Sequence, residues 1–131
     1  MPAIKWAYLC DYAFVDQAGK ASIIGMWDKL SVRRTPLMWN QIFVMAETLI
    51  QPNENFTMSM VLSGPSGTEI ARQRAQNVRA PAGATGNTIA KMAFAFYGLN
   101  FPEFGEYHIE IFIDDLSVHS IPFEIVQRQR L

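Results

Sequence analysis

Apolar and polar residues alternate with a period of two along most of this chain, and short turn-forming segments separate the alternating stretches. In "FTMSMVLS", the residues Phe56, Met58, Met60 and Leu62 share one face, while threonine and serine occupy the other. A period of two that uses aromatic and aliphatic residues is typical of a half-buried β-strand. No gap between such stretches holds a crossover helix, which parallel strands would need. The pattern therefore predicts an all-β protein with antiparallel sheets.

The first two predicted strands, residues 5–15 and 21–32, form a hairpin around "DQAGK". One face of the first strand is made by its even positions, which are Trp6, Tyr8, Cys10, Tyr12 and Phe14. Asp11 marks the opposite face, so we expect that face to meet solvent and Cys10 to be buried as a small hydrophobe. Asp28 is interpreted with Asp11 as a solvated carboxylate rather than as half of a catalytic pair. Gly25, inside the second strand, predicts a bulge or a close backbone approach.

Further strands are predicted over 41–50, 56–63, 68–78, 88–99, 106–114 and 117–127. The segment 41–50 is almost wholly apolar, which favours a strand covered on both faces. Residues 68–78 are more polar and favour a sheet edge. Strands at a spacing of about 8–12 residues are typical of sandwiches and barrels. We predict one domain, residues 1–131, folded as an antiparallel β-sandwich of seven to nine strands, immunoglobulin-like or C2-like.

A glycine–any–tyrosine pattern introduces the strand predicted over 106–114, in "FGEYHIEI". In immunoglobulin-like sandwiches, a tyrosine at such a place buries its ring and bonds its hydroxyl to nearby backbone, the tyrosine corner. The alternative for Tyr107 is an ordinary cross-strand aromatic residue that faces Phe123. The pattern alone leaves both interpretations open.

Composition limits the classes of binding partner and the cellular compartment that we expect for this protein. The chain has 131 residues, of which 50% are hydrophobic and 18% charged, with a formal net charge of −1. This excludes a disordered chain and offers no basic field, so nucleic acid and membranes are not expected as partners. A single cysteine excludes an intramolecular disulfide. Asp11 interrupts the N-terminal apolar run and no stretch is long enough to span a bilayer, so we expect neither a signal peptide nor a membrane segment, and a cytoplasmic location.

The chain resembles a family of short bacterial and phage β-sandwich proteins of unknown function. The resemblance rests on "CDYAFVDQAGKASIIGMWDKL", on Pro36 with "IFVMAETL", and on "FGEYHIEIFIDD" with "IPFEIV". It implies an all-β sandwich, and it implies no activity and no catalytic residue.

Catalytic and metal-binding patterns are weak in this sequence. There is no G-x-S-x-G elbow, no cysteine with an assignable histidine partner, and no pair of cysteines or histidines at zinc spacing. We therefore predict neither an enzyme nor a bound cofactor. Calcium is the weaker alternative, since sandwich loops gather the oxygen ligands that it requires. That alternative would use end-loop residues, namely Asp114, Asp115, Asn53 and Asp28.

The segment "RRTPLMWNQ" holds the most specific candidate residues. A loop with three large apolar side chains costs about 1.5–3 kcal/mol for each one left in water, so it either plugs the end of the sandwich or docks on another chain. In the docking case, we predict Leu37, Met38 and Trp39 as anchors, with Arg33 and Arg34 at the rim. The predicted function is a non-enzymatic protein-interaction or assembly module, with a protein partner or a second copy. The alternative is a sandwich that binds a small ligand or calcium.

Overall fold

The computed structural model describes residues 2–129, which form nine β-strands and no helix. The strands are β1 (Ala3–Val15), β2 (Ala21–Met26), β3 (Lys29–Val32), β4 (Leu37–Ile50), β5 (Asn55–Ser63), β6 (Glu69–Arg79), β7 (Thr88–Phe101), β8 (Gly105–Ile113) and β9 (Leu116–Gln127).

Two sheets pack face to face. The first has four strands in the order β2-β1-β4-β7, and the second has five in the order β3-β9-β8-β5-β6. Neighbouring strands are antiparallel, apart from β3, which runs parallel to β9. The predicted all-β architecture of two layers is confirmed.

One predicted strand, residues 21–32, is divided between the two sheets. Its first half is β2 in the four-stranded sheet and its second half is β3 in the five-stranded sheet. The chain crosses between them at Trp27 and Asp28. The Trp27 amide donates to the Leu9 carbonyl at 3.2 Å, and the Glu124 amide donates to the Asp28 carbonyl at 2.9 Å. These bonds fasten the crossing to both sheets without the glycine or proline that usually marks a turn.

The main core lies between the sheets. Phe56, Met58, Met60 and Leu62 all point into it, as their alternation predicts. The apolar segment within β4 is buried from Ile42 to Thr48, which confirms a central strand covered on both faces. β4 pairs with β7 from Leu37 to Ile50 and with β1 from Phe43 to Leu49, so most of the buried segment has a neighbouring strand on both sides.

Tyr107 satisfies both interpretations of its sequence pattern. Its hydroxyl donates to the Glu103 carbonyl at 2.6 Å, four residues upstream, as in a tyrosine corner. Its ring also stacks on Phe123, its cross-strand partner, with centroids 5.4 Å apart. The side chain is fully buried. The corner therefore fixes the entry of β8 into the core.

β6 is an edge strand, as its polarity predicts. Arg72 on this strand forms an ion pair with Glu69 at 2.7 Å. The Gln73 side chain donates to the carbonyl of Ala95 on β7, which closes this side of the sandwich between the two sheets. The opposite side is closed by the crossing at Trp27.

Candidate functional site: an aromatic sheet face

The outer face of the four-stranded sheet is apolar. Ala7 and Leu9 of β1 pack into the main core, so Trp6, Tyr8 and Cys10 point outward. Farther along β1, the Tyr12 ring contacts Phe43 of the outer cluster and the Phe14 ring contacts Tyr12. Asp11 and Asp28 are exposed, which confirms them as solvated carboxylates. The expectation that the β1 face shared by Asp11, Ala7 and Leu9 meets solvent was wrong, because Ala7 and Leu9 pack into the main core. We use the term aromatic face for six outward side chains, Trp6, Tyr8, Tyr12, Phe14, Phe43 and Tyr97.

Four rings of the aromatic face form a connected set across three strands, and Trp6 and Tyr8 form a separate pair. Tyr12 of β1 lies 4.9 Å from Phe43 of β4, and Phe43 lies 6.1 Å from Tyr97 of β7, measured between ring centroids. Phe14 lies 5.9 Å from Tyr12. Trp6 and Tyr8 stack at 5.3 Å. These distances lie in the range of favourable aromatic pairs, so the rings hold each other in place.

A second, smaller core supports the aromatic face from the outer side of the sheet. Its buried members are Cys10, Ala13, Phe43 and Met45. Cys10 is fully buried, as predicted, and its thiol lies 3.6 Å from the Phe43 carbonyl oxygen. These buried residues pack beside the rings on the outer side of the sheet. The aromatic face is therefore a built surface rather than a set of isolated exposed residues.

Much of the aromatic face is open to solvent. Tyr8 is 43% exposed, Tyr12 44% and Tyr97 66%, while Ile24 and Met26 at the β2 edge are each 56% exposed. The strand register places uncharged residues side by side across its centre. These cross-strand rows are Tyr8 with Met45 and Ala93, and Cys10 with Phe43 and Ala95.

Charges lie at one end of this surface. Lys5 and Glu47 form an ion pair at 3.7 Å, and Lys91 is the cross-strand partner of Glu47. The centre thus offers flat apolar area with tyrosine hydroxyls, and the end offers charges of both signs. Such a surface suits the docking of another apolar surface, because aromatic anchors dominate interface energetics.

The buried environment of Cys10 predicts a thiol of low reactivity. Burial, together with the nearby charge of Asp11, raises the pKa of the Cys10 thiol to about 11. Since the thiolate is the reactive form, we expect the native protein to react with iodoacetamide far more slowly than the unfolded chain at pH 8. Mass spectrometry of the alkylated protein with and without urea measures this. Equal labelling rates in both states would contradict the burial of Cys10.

The same shift predicts loss of stability in alkali. Because the folded-state pKa of Cys10 lies above its value in the unfolded chain, its contribution is complete below about pH 9 and is lost as pH rises toward about 11. The expected loss is about 2–3 kcal/mol in the free energy of unfolding. Urea unfolding at pH 7, 9 and 11 measures it. A Cys10→Ala variant should lose this part of the pH dependence and keep the part due to Tyr107, whose pKa burial also raises.

The residues predicted as interface anchors do not form a loop. Leu37, Met38 and Trp39 begin β4. Leu37 and Trp39 pack against the main core, whereas Met38 is 69% exposed. The plugging arrangement weighed from the sequence describes the first two. Arg33 and Arg34 are exposed in the segment just before β4. As an interface, this set stays a prediction in which Met38 is the one exposed apolar anchor.

The residues considered for calcium are not brought together. Asp114 and Asp115 lie in the β8–β9 turn with left-handed backbones, and the Asp114 carboxylate accepts a bond from the Thr57 amide at 2.9 Å. Asn53 lies in the β4–β5 loop, also with positive φ. Asp28 lies at the crossing near Glu124. Among residues 2–129, no group of three or more histidine, cysteine, aspartate or glutamate side chains could hold a metal ion. Asn53, Asp114 and Asp115 adopt the left-handed backbone conformation that their turns require.

Sequence reasoning missed the aromatic face, although its signal was present. The even positions of β1 share one face, and four of the five are aromatic. Taken alone, that pattern favours a face buried in the core, because large apolar side chains are more often buried than exposed. What could have corrected it is β4, whose outward Phe43 and Met45 predict a sheet that is apolar on both sides.

Comparison with known proteins gives a family and no function. The model of a family of unknown function (DUF6941) matches residues 5–126. No curated protein matches. Among solved structures, the chain is similar to the Pseudomonas fluorescens alkylpurine DNA glycosylase AlkC bound to DNA containing an abasic site analog, at 10% identity and a TM-score of 0.48. The match covers 92% of this chain and 30% of that one, so this chain spans less than a third of the glycosylase.

One expectation about partners is corrected by that comparison. The sequence excluded nucleic acid, but a structurally similar protein is described as bound to DNA, so the exclusion is withdrawn. Similarity at this level assigns no DNA-binding role to the present chain. For membranes, the finding is limited to helices. No helix in the described part of the chain is long and apolar enough to cross a bilayer.

Proposed function

We propose that this chain, which belongs to the family of unknown function DUF6941, is a non-enzymatic assembly module that pairs with a second copy of itself through the aromatic face. The observation that carries the proposal is the solvent exposure of four aromatic side chains, Tyr8, Tyr12, Phe14 and Tyr97, on a sheet whose other side is already covered by the main core. Monomeric proteins rarely leave such a patch uncovered.

The surface area of the chain is large for its mass. Its accessible surface is 8020 Å² at 14.8 kDa. A compact monomer of this mass exposes about 7,000 Å². The excess of about 1,000 Å² is close to the roughly 800 Å² that each partner buries in a standard stable interface.

Geometry and charge favour a second copy as that partner. Two sheets with the same right-handed twist pack face to face at about −30°, which is how sandwich layers are built. A second copy presents a face with that twist. The net charge of −1 gives copies little long-range repulsion.

We expect the wild-type protein to be a dimer or a larger species, and Tyr97→Lys to shift it to a monomer. Tyr97 is 66% exposed on the edge strand β7, so the substitution costs little in folding, whereas a lysine covered by an apolar partner surface is costly to bury. Light scattering and sedimentation equilibrium over a range of concentrations measure the mass. Circular dichroism checks that the variant stays folded.

Leu116→Lys is the matched control, because Leu116 is 59% exposed but lies at the start of β9 in the other sheet. It should leave the mass unchanged. Met38→Lys tests the anchor predicted from the sequence in the same way. A wild-type monomer at all concentrations would end the proposal of self-assembly. Dissociation by Met38→Lys alone would move the interface to the start of β4 and overturn the assignment to the aromatic face.

Two finer assignments accompany this proposal. A cytoplasmic location is supported by the single, buried cysteine, since a chain without disulfides suits a reducing compartment. An immunoglobulin-like relation is supported by the tyrosine corner at Tyr107, which is a hallmark of those sandwiches.

A further inference from the structure

The side of the sandwich that carries the crossing is closed along only part of its length. β2 pairs with Cys10–Val15 of β1, which leaves Ala3–Leu9 without a described neighbouring strand on that side, although the Leu9 carbonyl accepts a bond from the Trp27 amide. In the other sheet, β3 pairs with Glu124–Gln127 of β9 and leaves Leu116–Phe123 without one. Both gaps begin at the crossing, because Trp27 is bonded to Leu9 and Asp28 to Glu124. We call the space between them the side cleft.

A cavity of about 370 Å³ lies in the side cleft. Most of its wall is apolar. The lining residues are Ala7, Tyr8 and Leu9 of β1, Met26, Trp27 and Asp28 at the crossing, and Ile121 and Pro122 of β9. The volume lies near the lower end of the roughly 300–1,000 Å³ range of ligand pockets. Because it touches both unpaired strand segments, the two gaps face each other across it.

The β1 edge directs backbone hydrogen-bonding groups toward this cavity. The Leu9 carbonyl bonds to the Trp27 amide, so Leu9 directs its backbone away from β4 and toward the side cleft. Backbone groups alternate along a strand, and the pairing of β1 with β4 is regular from Trp6 to Cys10, so Ala7 directs its N–H and C=O the same way. Meanwhile the side chains of Ala7 and Leu9 enter the core.

We propose that the side cleft binds an extended peptide of another protein, which adds to the β1 edge in line with β2 and places an apolar side chain in the cavity. Strand addition to an exposed edge uses main-chain hydrogen bonds for affinity and pockets for alternate side chains for specificity. The β9 edge suits this less well, because Pro122 lacks an N–H. The inference is independent of self-assembly, since it uses an edge and a cavity rather than the sheet face.

The recognition pattern follows from the geometry. Successive residues of an added strand point to opposite sides of the sheet. One set faces the cavity, where Leu9 and Ile121 favour an aliphatic side chain. The other set lies next to Tyr8, on the outer side. The ligand class is therefore a β-forming segment with large apolar residues at every second position.

The test selects binders from random peptides as long as the Ala3–Leu9 gap, displayed on phage, with the wild-type protein as the target. We expect the enriched peptides to alternate apolar residues, and their binding to slow the exchange of the Ala7 and Leu9 amides measured by NMR. Alternate N–H groups of an added strand point toward β1 and the others point away from it. N-methylation of the first set should abolish binding, and N-methylation of the second set should leave binding intact.

Two protein variants complete the test. Ala7→Leu places a side chain in the cavity and should weaken binding of the synthetic peptides about tenfold or more. Ala75→Leu makes the same change at an exposed position on β6, far from the side cleft, and should leave binding unchanged. No enrichment of alternating peptides, or enriched peptides that tolerate methylation in both registers, would overturn the proposal, even if Ala7→Leu failed to fold. The solution mass of the protein alone decides self-assembly separately.

Discussion

Replacing Phe123 with alanine should lower the free energy of unfolding by about 3–5 kcal/mol, the usual cost of deleting a buried phenylalanine ring. Phe123 is 1% exposed and touches three aromatic rings. It stacks on Tyr107 at 5.4 Å, meets Phe101 edge-on at 6.0 Å, and meets Trp27 edge-on at 5.3 Å. Its loss would remove the one ring that joins both sheets and the crossing. Urea unfolding followed by circular dichroism measures the change.

Phe14→Ala is the matched control for this substitution. Phe14 is 41% exposed on the aromatic face and contacts one ring, Tyr12. Its loss should cost about 1 kcal/mol or less, measured under conditions where the protein is monomeric. A full domain is stable by only about 5–15 kcal/mol, so the two variants should be easily distinguished. Similar losses for both would mean that Phe123 is not the centre of the core.

Much of the fold could be predicted because most strands have only one apolar side. In β5, Phe56, Met58, Met60 and Leu62 alternate with small polar residues, so the sequence specifies which side is buried. In β8, Tyr107 and the isoleucines that follow it do the same. A period of two together with a polar outer face leaves one arrangement for such a strand. The two layers follow from having many strands of this kind.

The aromatic face could not be assigned because β1 is apolar on both sides. One side holds Ala7 and Leu9, and the other holds Trp6, Tyr8 and Cys10. Size and hydrophobicity favour the aromatic side as the core, yet the smaller residues enter it. The outcome depends on the space left between the sheets, which bulky side chains of β5, β8 and β9 already fill. That is a tertiary property, and no local pattern in β1 records it.

The side cleft was invisible to sequence reasoning for a different reason. The stretch "ASIIGMWDKLSV" contains no proline or turn pair, so its sequence predicts a single strand. Its division between two sheets at Trp27 creates both the crossing and the open segments of β1 and β9 beside it. Backbone bonds from Trp27 to Leu9 and from Glu124 to Asp28 stabilise this division. Long-range pairing of this kind has no local signature.

The second large effect is expected at Gly105, where substitution by alanine should lower the free energy of unfolding by about 2–4 kcal/mol. The φ angle there is +135°, a region that residues with a Cβ rarely adopt. Such a backbone costs about 1–3 kcal/mol for a non-glycine residue. A Cβ at this position would also lie 2.8 Å from Cγ and 3.1 Å from Cβ of Pro65, which forces the neighbouring turn to move. Thermal and urea unfolding measure the loss.

Gly86→Ala is the control, since Gly86 has no positive φ and no atom within 4 Å of an added Cβ. It should be neutral or slightly stabilising, because alanine restricts the unfolded chain. Pro65→Ala combined with Gly105→Ala separates the two causes. Measured against Pro65→Ala alone, removal of Cγ should recover part of the loss, and the remainder combines the backbone strain with the 3.1 Å contact to the retained Cβ. A Gly105→Ala variant as stable as Gly86→Ala would contradict this geometry. Since Gly105 lies between Glu103 and Tyr107, that result would also place the tyrosine corner in doubt.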